Sequence, residues 1–374
     1  MSLDSVLDIG LFILILIVLV IVHELGHMLV AKWSGMKVER FSVFMGRPLV
    51  SFTKGETEYG FGWLPLGGYV KITGMTPDEE IDPADEPRAY YRASTGRRIA
   101  TIFAGPAVNL VIAFLTFVAI AAFIGFPTFT TTNTVGSVIE TVDDRPTPAA
   151  QFDLAPGDQL VAVNGVSADG GPEGIEAIRS EIESNIGTPI EVVYRREGEI
   201  LTAMPTPEVL QPGSGRGQLG FSFLREQDPS DPAGITQGIA EGSEFTWFLT
   251  EQYGALFKEL VVSEEARESV NSVVGAGAVF DVVADNGLLD ILFFFGAISF
   301  ALGIFNLIPI LPLDGGHIVI ALVERFKRSP LSSRAYQGIA LAGIFVIIIV
   351  FLYVLQNDIA LIRGGDLAER LGNP

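Results

Sequence analysis

Residues 11–27 read LFILILIVLVIVHELGH. An apolar run from Leu11 to Val22 passes without a break into a cluster of three ionisable side chains. Extended from about Val6 to Val30, the segment supplies the roughly 20 helical residues that a hydrocarbon core requires. Asp4 and Asp8 stand where a secretion signal would be basic, and no small-x-small cleavage site follows, so the helix is expected to be retained. On such a helix His23 and His27 share one face, with Glu24 beside them. Two imidazoles at that spacing suit one Zn2+, and the adjacent carboxylate suits a base for bound water. A purely structural polar knot is the weaker reading, because ionisable groups inside a span are costly and usually functional.

Composition agrees with a membrane protein. Of 374 residues, 49% are hydrophobic and only 18% charged. Three further apolar segments are expected to span: 99–126; 288–323, interrupted by prolines and glycines; and 338–355. The fold class expected is therefore a polytopic α-helical membrane protein with about four transmembrane helices, the third broken. The net charge of −20 argues against nucleic acid as a partner. There is no cysteine, which excludes disulfides, thiolate metal sites and a cysteine nucleophile.

Charge asymmetry suggests sides. The loop 31–98 carries ten Lys and Arg residues, and Arg325, Lys327, Arg328 and Arg334 follow the third span, so both loops are expected in the cytoplasm. Residues 127–290 hold 27 acidic and 8 basic side chains and are expected outside. Dense carboxylates there suit a halophilic setting, where salt screens their repulsion.

The segmentation expected is a first span over 1–35, a cytoplasmic loop over 36–98 and a second span over 99–126. A compact α/β domain follows over 127–210, then linker and amphipathic chain over 211–287, a third span over 288–323, and a loop, fourth span and tail over 324–374. Within 36–98, Tyr59, Phe61 and Trp63 alternate with glycines, and Gly67-Gly68-Tyr69-Val70-Lys71-Ile72 follows Pro65. That pattern predicts a β-hairpin with an aromatic face at the membrane boundary. Within 127–210, short β-like runs end at Asn164-Gly165 and Glu197-Gly198, and Ile175, Ile178 and Ile182 share one helical face.

A hydrolytic zinc usually takes three protein ligands and one water. The first span supplies two. Asp314, in NLIPILPLDGGH over 306–317, is the notable polar group of another span, where Pro309 and Pro312 interrupt the helix. His317, three residues on, competes as the third ligand.

These motifs resemble, in order, the three membrane signatures of the site-2 protease family of intramembrane zinc metalloproteases: HELGH at 23–27, FAGPAVN at 103–109, and 306–316. Leu154 to Asp158 with Val161 to Gly165 resembles part of the circularly arranged PDZ domain that members insert, and Gly67-Gly68-Tyr69 resembles their membrane-reentrant β-hairpin. The resemblance implies one catalytic zinc per chain on His23, His27 and Asp314, with Glu24 as the catalytic base. It gives substrate positioning to Asn306 and Asn109 and to the hairpin residues Gly67, Gly68 and Tyr69, and leaves His317 a pocket role. It implies cleavage of single-span membrane proteins, anti-sigma-factor-like ones among them, after an upstream site-1-type protease, or of remnant signal peptides within the lipid bilayer. Residues 273–280 depart from the family's Gly-Pro pattern and are given no catalytic part. A zinc transporter and a catalytically silent scaffold using the PDZ-like domain are the rival readings; transport predicts metal flux, and a scaffold has no use for the full set of site groups.

Overall fold

The structure is a computed structural model that describes residues 3–364, apart from 65–66, 77–78, 143–144, 211–214, 229–230, 263–275, 277–279, 281–282 and 285–286. Pro65 and most of 273–280 therefore lie outside the described residues. The chain forms two compact units, one from Met1–Gly125 with Pro232–Ala368, the other built on Phe126–Asp231.

In the first unit, α1 (Leu3–Trp33) is an unbroken helix. Its end has a specific cause: Gly35 adopts φ +82°, Met36 N–H donates to the Ala31 carbonyl at 3.0 Å, and Gly35 N–H donates to Lys32 at 3.0 Å. That pair of bonds is a Schellman ending, in which glycine takes the left-handed conformation and the following apolar residue, here the buried Met36, folds back onto the helix. The chain is thereby turned directly into a four-stranded sheet of β1 (Val38–Ser42), β2 (Met45–Lys54), β3 (Thr57–Leu64) and β4 (Tyr69–Ile72).

The strand order is β2-β3-β1-β4. This corrects the expected hairpin, since residues 59–63 and 69–72 do not pair with each other. Strand β1 lies between them, parallel to β3 and antiparallel to β4. VERFS is short and carries two charges in five residues, so its pattern gives no strand signal. Burial of Val38 and Phe41 with Ile72, Met28 and Ile102 fixes it in the middle.

Helix α2 (Thr95–Phe123) is the centre of this unit and packs against α1 and against three later helices. Among the described residues, four helices are long and apolar enough to cross a membrane: α1, α2, α6 (Leu288–Asn306) and α8 (Ser333–Gly364, apolar over Ser333–Gln356). Between α6 and α8, residues 307–313 form turns and α7 runs over Asp314–Lys327. The turns satisfy much of their own backbone, for example Ile308 to Phe305 at 3.1 Å and Leu313 to Ile310 at 2.9 Å.

A second correction concerns the end of the expected linker: residues 234–240 are already helical, the start of α5 (Gly234–Val262), which continues through the stretch expected to be amphipathic. It lies along α2 and α6 by an aromatic seam: Phe245 with Phe117 at 4.7 Å, Tyr253 with Phe300 at 5.5 Å, and Phe257 with Phe305 at 5.7 Å between ring centroids. Its glutamates and Lys258 hide it from a search for uninterrupted apolar runs.

The second unit has a sheet ordered β11-β10-β8-β5-β12, with β9 beside β8. The strands are β5 (Phe129–Val138), β8 (Gln159–Val163), β9 (Val166–Ser167), β10 (Val192–Arg196), β11 (Glu199–Ala203) and β12 (Phe221–Gln227), with a small β6 (Thr141–Val142) and β7 (Arg145–Pro146) pair and a one-turn helix α3 (Pro148–Gln151). Helix α4 (Pro172–Ser184) buries Ile175, Ile178 and Ile182, each worth about 2 kcal/mol of transfer free energy. Strand β12 pairs with β5 from Phe221↔Val138 to Gln227↔Phe129, so the sheet extends beyond the expected boundary at 210. Gly and Ser around 211–217 resemble linker, yet Leu219 is buried in the same core as Leu160 and Ile178.

Candidate metal centre

His23 and His27 sit one turn apart on α1 and are 6% and 7% exposed. Asp314 is the first residue of α7, where an anion suits the positive end of the helix. Its Oδ2 lies 3.1 Å from His23 Nε2 and 3.3 Å from His27 Nε2, and the two Nε2 atoms are 3.2 Å apart. These three residues form the one cluster of possible metal ligands found among the described residues. The donor set fits zinc: bonds of about 2.0 Å in a tetrahedron require ligand edges of about 3.3 Å. His317 is not part of this cluster. Its ring faces Tyr336 at 6.3 Å and lines a cavity of about 1070 Å³ together with Arg98 and Glu324.

Helix α2 is what brings the histidines to their places. Thr101, Gly105 and Asn109, at i, i+4 and i+8, form one stripe against α1. The Thr101 carbonyl accepts a hydrogen bond from His27 Nδ1 at 2.9 Å, which leaves Nε2 with its lone pair toward the carboxylate. Gly105 gives the imidazoles their room: a methyl group there would press on His27 Nε2 and lie 2.8 Å from His23 Nε2. Gly26 does the same for the helix crossing, since a methyl there would stand 2.6 Å from the Ala104 carbonyl oxygen. Sequence reading passed over Thr101, Gly26 and Gly105 as site residues. The four-residue spacing of Thr101, Gly105 and Asn109 was the available signal, but its meaning depends on knowing that α2 faces α1.

Glu24 points to the sheet. Its carboxylate lies beside Val70 in β4. Gly68 lies against it, so that a methyl at 68 would be 2.8 Å from Glu24 Cγ and 3.0 Å from the Ser42 carbonyl oxygen. Gly67 has φ +83°, a turn conformation that carries the chain into β4. Tyr69 is occupied elsewhere: its hydroxyl accepts from Arg40 at 3.2 Å, and Arg40 Nε donates to Glu58 at 2.7 Å.

The two asparagines differ. Asn109 is fully buried, 3.4 Å from His23 Nδ1. Asn306 ends α6 and donates to the Leu302 carbonyl at 2.9 Å.

In the second unit, a separate groove of about 600 Å³ lies between α4 and the start of β12, with Ile182, Leu219 and Phe223 in its lining. Residues 154–165, which resemble part of a circularly arranged PDZ domain, do not line it.

The sequence profile described as peptidase family M50 matches residues 11–350. The chain is similar to zinc metalloprotease Rip1 of Mycobacterium bovis, with 33% identity over 88% of each protein, and to zinc metalloprotease Rip1 of Mycolicibacterium smegmatis, with 32% identity over 90% of each. A solved PDZ domain of an SdrC-like protein from Listeria monocytogenes aligns with 25% of this chain and 90% of that one, at 21% identity and a TM-score of 0.19, a likeness that carries no structural argument.

Proposed function

Since the chain belongs to peptidase family M50 and is a multi-pass membrane zinc metalloprotease, we propose that it hydrolyses peptide bonds within or next to transmembrane segments, with His23, His27 and Asp314 as its zinc ligands and Glu24 as its general base. The observation that carries the ligand assignment is the convergence of two Nε2 atoms and one Oδ2 atom at edges of 3.1 to 3.3 Å from segments 291 residues apart. When bound, zinc acidifies a water molecule and polarises the scissile carbonyl. Glu24 takes up the water's proton and passes it to the departing amine. Thr101, through its carbonyl, keeps His27 in the tautomer that binds metal.

A transmembrane substrate must unwind locally, because helical carbonyls are hydrogen-bonded and shielded. Strand β4 is the outer strand of its sheet, so its free edge has backbone groups for an extended substrate segment, and Gly67, Gly68 and Tyr69 lead into that edge beside Glu24. Asn306, at the end of α6, adds a substrate contact in this reading. The substrates are single-span membrane regulators, such as anti-sigma-factor-like proteins trimmed beforehand by a site-1-type protease, or remnant signal peptides. The basic loops face the cytoplasm, and residues 126–231 form a PDZ-like domain outside.

The test is a panel of single-span substrates incubated with detergent-purified protein, with Glu24→Gln as the control. Cleavage should fall by about 10²-fold or more in Glu24→Gln while zinc content stays near wild type. Wild-type turnover in that variant would remove Glu24 from the mechanism.

A further inference from the structure

The mechanism above leaves a buried polar atom beside His23 unused. Asn109 is 0% exposed, and its Oδ1 has no hydrogen-bond partner, while its Nδ2 faces His23 Nδ1 at 3.4 Å. A buried carbonyl oxygen without a partner is costly, so such an atom calls for an explanation. The explanation lies in the neighbouring ring. If Nε2 of His23 binds metal, the neutral imidazole must carry its proton on Nδ1, and an N–H at that position needs an acceptor. A half-turn of the Asn109 amide exchanges its two ends and brings Oδ1 to His23 Nδ1. That single rotation gives the orphaned oxygen a donor and gives the imidazole N–H an acceptor.

The main chain of Asn109 is fixed independently of this exchange. Its carbonyl accepts a hydrogen bond from the buried Ser299 hydroxyl of α6 at 2.8 Å. Two turns earlier on the same stripe, the Thr101 carbonyl already does for His27 what the rotated amide would do for His23.

We propose that Asn109 is a positioning residue of the metal centre: its side-chain Oδ1 accepts the Nδ1 proton of His23 and so holds Nε2 as a metal donor. This rests on the reading of His23 as a ligand. It gives Asn109 a role other than substrate contact, for which a side chain with no exposed surface is poorly suited. It also divides the work of α2, with a backbone carbonyl serving one histidine and a side-chain carbonyl serving the other.

The experiment is zinc affinity of the detergent-purified full chain, measured by competition with a chromogenic chelator, for wild type and for His23→Ala, Asn109→Leu and Asn109→Asp. Loss of a group that orients a metal-binding histidine typically weakens metal binding by about 10–100-fold, and Asn109→Leu should show a loss of that size. Asn109→Asp keeps an acceptor but no donor and should remain within a few-fold of wild type. A merely structural asparagine would not distinguish these two variants in that direction. Independently, histidine-selective ¹⁵N labelling of the zinc-loaded protein reports on only three side chains. Wild type should show hydrogen-bonded, slowly exchanging Nδ1 protons on both His23 and His27; Asn109→Leu should lose only the first. Unchanged affinity in Asn109→Leu, an Asp variant as weak as Leu, or a single protected Nδ1 proton in wild type would each overturn the proposal. Unchanged zinc binding in His23→Ala would overturn the ligand reading beneath it.

Discussion

His23 Nε2 and Asp314 Oδ2 lie 3.1 Å apart although 291 residues separate them in the chain. Helix α2 stands against both α1 and α7, so the meeting of imidazole and carboxylate is a consequence of packing around a third helix.

Metal content tests that meeting. His23→Ala, His27→Ala and Asp314→Ala should each lower zinc per chain from about one to a small fraction, since three protein ligands leave no spare. His317→Ala should stay close to wild type, because its ring faces Tyr336 outside the cluster. Elemental analysis of the purified variants gives the result directly.

The glycines beside the site should separate assembly from chemistry. Gly105→Ala puts a methyl against both imidazoles and should abolish zinc binding, whereas Gly96→Ala, on the same helix with nothing within 4 Å, should change stability by about 0.5 kcal/mol or less. Gly68→Ala pushes on Glu24 and not on the ligands, so zinc should remain while kcat falls on the order of 10–100-fold. Paired zinc and cleavage measurements distinguish the three.

Residues 126–231 should lose stability in acid through one ion pair. Asp158 is 2% exposed and accepts two hydrogen bonds at 2.7 Å from Arg196, with a third from Ala155 N–H at 2.8 Å. Burial pushes its carboxyl upward, but Arg196 and the Ala155 N–H outweigh burial and hold it below the usual carboxylate range. A depressed carboxylate stabilises the fold fully above its ordinary pKa of about 3.9 and ceases to do so as pH falls through the lower folded value. Amide exchange in β8 and β10 should therefore accelerate below about pH 4, and Asp158→Ala should cost about 3 kcal/mol at pH 7.

Sidedness can be read with single cysteines, because the chain has none of its own. Labels at Ser51 and Ser329 should react from the cytoplasm and one at Ser167 from outside, following the positive-inside asymmetry. The reverse pattern at all three would invert the proposed orientation.

The sequence alone made α1 and its chemistry legible. An apolar run into HELGH has one economical solution, a helix with two imidazoles on one face, because i and i+4 meet on any α-helix whatever surrounds it. The same local rule made α4 readable, where three isoleucines at helical spacing define a buried stripe. Local rules fail where a segment's partner is distant. Strand β1 is invisible in VERFS because its place between β3 and β4 is set by what packs on Val38 and Phe41. Strand β12 and the start of helix α5 were hidden by small and charged residues whose burial depends on the chain from 117 to 160 and on α6. Between Asp314 and His317 as the residue beside the two imidazoles, the residue pattern left the choice open. Tertiary structure decided it: α7 begins at Asp314 and points that carboxylate at α1, and the next turn carries His317 toward Tyr336. Composition determines which groups are available for chemistry, but their convergence depends on the angles at which helices cross, and those are fixed by side chains and glycines far from the motif in sequence.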